Sequence, residues 1–135
     1  MTPTLDQLRA RHALESIRTV ERSLTRAEDR RAFVSKVESL PAGVLANGLG
    51  QALAILLAQA NNDSATPPGM IYGILQEWLC RDDPRAPYRG AASLVDALVN
   101  GSRTAYIWAQ EETLAYLKWL KTFAVAFLKE REAVR

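Results

Sequence analysis

One cysteine, one histidine and a near balance of charge set the first limits on this 135-residue chain. Cys80 has no second cysteine to pair with, so an internal disulfide is excluded and nothing points to an oxidising compartment. His12 and Cys80 are not paired at metal-ligand spacing, and no nucleophile elbow is present, which leaves a poor inventory for catalysis. The expectation is therefore a non-enzyme with no cofactor and no metal. The longest near-continuous apolar run, Ala52 to Ala60, falls well short of the roughly 20 residues that cross a bilayer, so no membrane helix is expected. The opening Met-Thr-Pro-Thr-Leu-Asp has neither a basic nor an apolar signal region, which makes the cytoplasm the expected compartment. With 17 Lys and Arg against 15 Asp and Glu, the net charge of +2 is too small for a stand-alone polyanion binder.

What the chain does have is a 48% hydrophobic content arranged at helical spacing. Thr4 and Gln7 form a capping-box pattern ahead of Leu8, Leu14, Ile17, Val20 and Leu24, which predicts a helix from about residue 5 to about residue 25. Thr25 and Glu28 repeat the pattern and predict a short second helix ending near Ser39, with Leu40-Pro41 as its stop. Residues 40 to 60 read as a buried helical stretch broken at Asn47-Gly48, two residues that tolerate left-handed backbone angles. Asn61 to Gly69 and Arg81 to Gly90 read as mobile loops, the first above all. Met70 to Leu79 and Ala91 to Val99 read as helices between and after them. The last helix, from about Ser102 to about Glu130, shows a broad face of Tyr106, Ala109, Thr113, Tyr116, Leu117, Leu120, Phe123, Ala124, Phe127 and Leu128. No segment alternates with period two. The expected fold is all-α, a compact single-domain bundle of about six helices covering residues 1 to 135.

Few residues suggest chemistry, and each has a plainer reading. His12 could serve as a general base or be an ordinary helix-rim residue. Asp82-Asp83 could hold a divalent cation or accept backbone N–H groups in a proline-containing loop. Gly48-Leu49-Gly50 lacks the preceding strand of a dinucleotide loop; its glycines permit a tight turn, or its amides face a phosphate or a partner. Arg11, Arg18 and Arg22 fall on one line of the first helix and could follow a phosphate backbone, although Glu15 among them also allows solvated ion pairs. Trp108 and Trp119 form a column off the main apolar face of the last helix, suited to core packing or to a partner.

The elements Leu40-Pro41, Asn47 to Leu53 (NGLGQAL), Tyr72 to Leu79 (YGILQEWL) and Glu112 to Leu128 (ETLAYLKWLKTFAVAFL) together resemble the small helical subunit of type III-B CRISPR effector complexes, the Cmr complexes. The resemblance runs from about residue 10 to 130. It implies a non-catalytic subunit that stacks beside the backbone subunits, touches copies of itself and the large subunit, and helps hold target RNA on the CRISPR RNA. Charge placement then nominates Arg11, Arg18, Arg22, Lys118 and Lys121 for RNA contact, and Trp108 for a subunit interface. Two other classes compete: a free-standing helical nucleic-acid-binding regulator of helix-turn-helix type, and a small metal-dependent nuclease using Asp82, Asp83 and His12.

Overall fold

The computed structural model describes residues 1–129 and contains six helices. They are α1 (Leu5–Ser23), α2 (Ala27–Asn47), α3 (Leu49–Ala60), α4 (Pro67–Leu79), α5 (Leu94–Asn100) and α6 (Arg103–Leu128). No strand occurs among the described residues, in agreement with the all-α expectation. α1 opens on the capping box: Thr4 Oγ1 accepts from Gln7 N–H at 3.0 Å, and Gln7 Oε1 accepts from Thr4 N–H at 2.8 Å. Both amides would otherwise be orphaned at the helix start.

α2 differs from its sequence reading at both ends. Its N-cap is Arg26, with no side-chain cap, so the Thr25–Glu28 box is not used. The joint is fixed instead by Arg30, whose guanidinium donates to the backbone carbonyls of Leu24 and Glu21 and so caps the end of α1. The helix does not stop at Pro41 but runs through it to Asn47. Pro41 forfeits one helical hydrogen bond, yet Phe33, Val34, Val37, Leu40 and Val44 are all buried on one face spanning the proline. Burial of such side chains is worth about 1.5–3 kcal/mol each, which outweighs the loss of one bond.

The break expected at Asn47-Gly48 is present: Gly48 adopts φ +83°, ψ 158° and caps both α2 and α3. The loop predicted to reach Gly69 ends earlier, because Thr66 accepts from Gly69 N–H and Pro67 and Pro68 occupy the first turn of α4. The short helix α5 starts at Leu94 behind a Ser93 cap, three residues later than expected. α6 ends at Leu128, and the expected end at Glu130 lies outside the described residues.

α6 is the axis of the bundle, with α1 and α2 packed along it and α3 and α4 closing the far side of α2. Phe33, Leu49, Leu53, Ile71, Leu75, Tyr116, Leu117 and Leu120 are fully enclosed in one continuous core. The apolar face predicted for α6 is buried at Ala109, Thr113, Tyr116, Leu117, Leu120, Ala124 and Leu128, whereas Phe127 remains 40% exposed. Among the described residues no helix is long and apolar enough to cross a membrane.

Candidate nucleic-acid and subunit interface

Arg11, Arg18 and Arg22 are exposed on the outer face of α1. The Arg18 guanidinium lies 5.3 Å from the ring centroid of the exposed Phe127. Arg22 donates to Thr19 Oγ1 at 3.3 Å and stands in the last turn of α1, where a cation complements the helix dipole.

Lys118 and Lys121 are exposed on α6. They do not join the arginine line in a single face. Trp119 points to α1, its indole N–H donating to Asp6 at 3.0 Å. At about 100° per residue, Lys118 stands one step round the helix from Trp119 and Lys121 nearly opposite it. Lys118 borders a hollow with Asp6, Arg9 and Trp119, and Lys121 faces away from α1. The Trp119 hydrogen bond, aided by Arg9 and Lys118, holds the Asp6 carboxyl below its usual range.

The two tryptophans of the column part company. Trp119 is half-buried and stacks on Phe123 with centroids 5.7 Å apart, so it shapes the bundle. Trp108 is 40% exposed. It has the exposure a partner-facing aromatic needs, and Ile107 beside it is 47% exposed.

The residue that sequence reasoning missed is Glu112, a carboxylate only 3% exposed. Arg9 meets it with two charge-assisted bonds, Nε to Oε2 and Nη2 to Oε1, both at 2.8 Å. The Trp78 indole donates to the same Oε2 at 3.0 Å, so one carboxylate ties α1, α4 and α6 together. These bonds raise Arg9 above its ordinary range. Glu112 lies one position before Thr113 and four before Tyr116, on the predicted apolar face, and that placement was the available signal.

His12 belongs to the same seam. Its Nδ1 lies 2.6 Å from the Tyr116 hydroxyl and its Nε2 2.9 Å from Glu77 Oε1, with the ring packed against Trp78. Burial lowers the His12 pKa against the pull of Glu77, and burial raises Tyr116 far above the ordinary phenol range. A neutral imidazole accepting from Tyr116 and donating to Glu77 satisfies all three groups, a structural role rather than that of a poised base. Arg81 completes the seam, with its guanidinium 3.6 Å from the Trp78 ring centroid.

The other sequence candidates resolve into local structure. Asp83 accepts from the Arg85 amide at 2.8 Å and from its guanidinium, which holds the carboxyl below its usual range, and Asp82 accepts from Arg89 Nε at 2.9 Å. At the glycine turn, the Leu49 amide donates to Gln110 Oε1 and the Gly50 amide to the Tyr106 hydroxyl, both at 2.9 Å. Those amides are taken up by α6. The shorter helices α3, α4 and α5 carry no Lys or Arg, so none has the basic face of a recognition helix.

A profile of the CRISPR-associated Cmr5 proteins, Cas_Cmr5, matches residues 5–127, which span all six helices. The fold is also that of a CRISPR-associated Cmr5 family protein from Thermus thermophilus, known from an X-ray crystal structure. That likeness has a TM-score of 0.66 and 25% sequence identity, over 94% of this chain and 100% of the Thermus chain. Motifs, fold and profile converge, and the chain belongs to the Cmr5 family of CRISPR-associated proteins.

Proposed function

We propose that this chain is the non-catalytic small subunit of a type III-B CRISPR effector, a Cmr complex. In this reading it stacks beside the backbone subunits, against copies of itself and the large subunit, and helps hold target RNA paired to the CRISPR RNA. The observation that carries the reading is the family match over nearly the whole chain, joined to the shared six-helix fold.

The charge pattern supports the RNA part. Arg11, Arg18 and Arg22 give α1 an exposed basic stripe, and Lys118 and Lys121 add cations on two flanks of α6. Five dispersed cations and a net charge of +2 suit one wall of a shared channel better than independent RNA capture, because affinity rises with the number of phosphates neutralised. Trp108 is assigned to a neighbouring subunit on its exposure.

The test is a tagged purification from the native host followed by a salt titration. Guide RNAs and Cmr-type subunits should come through a moderate-salt wash with the wild-type chain. Arg18→Ala combined with Arg22→Ala should lower retention of target RNA and reduce the slope of log affinity against log salt by about 1–2. Unchanged retention and slope would remove these residues from the RNA contact.

A further inference from the structure

α1 packs along α6 but approaches α4 sparingly, and between α1 and α4 the surface opens into a groove of about 380 Å³. Its apolar floor is Val20, Met70 and Ile74; Glu15 stands on the α1 wall and Glu77 on the α4 wall. We infer that this groove receives a segment of a partner protein that carries a lysine or arginine next to apolar side chains. The inference rests on the reading of the chain as a subunit of a larger assembly.

Charge complementarity selects that occupant. None of the residues lining the groove is a lysine or arginine, and both of its charged residues are carboxylates. A phosphate backbone would be repelled there, whereas an ammonium or guanidinium would be attracted. The apolar floor suits the aliphatic stem of the same side chain, which buries against hydrocarbon while its head stays at the carboxylates. Glu77 is steadied by its bond to His12 Nε2, so one of the two acceptors is already positioned. Gly73 leaves the α4 wall bare: a Cβ built there meets nothing within 4 Å. Arg22 stands outside the groove, hydrogen-bonded to Thr19 on its rim, so α1 presents a basic outer stripe and an acidic flank to two different kinds of partner.

The experiment places a photoreactive benzoylphenylalanine at Thr19 in the full-length tagged chain and irradiates the assembly purified from host cells. Adducts are expected on a protein segment bearing Lys or Arg. In parallel, Glu15→Lys and Gly73→Leu should each cut recovery of partner subunits about tenfold at roughly 0.15 M salt, with thermal midpoints not lowered. Adducts on RNA or within the chain itself, or undiminished recovery with both variants, would overturn the inference while leaving the subunit reading intact. If the wild-type chain brings down no partner subunits, the subunit reading fails and the groove assignment falls with it.

Discussion

α1 carries four arginines, and their fates divide by face. Arg9 turns inward to a carboxylate 103 positions away, while Arg11, Arg18 and Arg22 stay exposed, with only the Phe127 ring and the Thr19 hydroxyl beside the last two. The same side chain is a structural cross-link on one side of the helix and a solvent-facing cation on the other. Residue type therefore says little; what decides is whether the fold brings an acceptor to it. The inner face should govern stability, and the outer face should govern what the chain holds.

The largest effect expected is at the inner face. Glu112→Ala strips the buried Trp78 indole and the partly exposed Arg9 of their common acceptor, and should cost about 2–3 kcal/mol in urea unfolding. A loss under about 1 kcal/mol would mean that water and Asp6 replace the carboxylate as acceptors. The glycine turn is next. Gly48 holds a backbone conformation that essentially only glycine adopts, and an added Cβ would sit 2.9 Å from the Tyr106 hydroxyl that caps Gly50. Gly48→Ala should cost about 1–3 kcal/mol, read by the same unfolding curve.

His12 offers a smaller effect with a defined sign. Burial, partly offset by Glu77 and Glu15, places its folded pKa below the ordinary 6.5. The unfolded chain therefore takes up a proton on the way down from about pH 7 before the native state does. Stability should be full above about pH 6.5 and should fall as the pH drops through the folded value, with a slope of at most about 1.4 kcal/mol per pH unit. His12→Gln should flatten the dependence of the thermal midpoint on pH just below about 6.5. Asp6 and Asp83, both shifted below the usual carboxylate range, act only at lower pH.

Local signals in the sequence were legible where the physics is local. The Thr4–Gln7 capping box, the break at Gly48 and the helical period of α6 each depend on residues within a turn or two. Pro41 misled because its local cost is overruled by packing on both sides of it. The Thr25 box misled because Arg30, reaching back to α1, made it unnecessary. Glu112 was legible only as an anomaly on the apolar face of α6: its partners Arg9 and Trp78 arrive from two other helices, and a glutamate at a core position reads as an error until they are in place. At the candidate interface, the sequence showed the arginine line correctly as one exposed stripe. It could not show that Lys121 faces away from α1, because that depends on how α6 is rotated against its neighbour.

Trp108 sharpens the contrast to its limit, because it should move stability least. Its partner within α6's tryptophan column, Trp119, is held by Phe123 and Asp6, whereas Trp108 is 40% exposed on a helix whose core face is already filled by Ala109, Thr113 and Tyr116. Trp108→Ala should shift unfolding by only about 1 kcal/mol, since part of the ring is already in solvent. If the ring anchors a neighbouring subunit, the same change should cost about 2 kcal/mol or more in assembly, since a buried tryptophan at an interface is a common hot spot. Co-purification of partner subunits with the variant measures that loss. An intact fold with wild-type incorporation would make the exposure of Trp108 incidental, and an unfolded variant would make it a core residue after all.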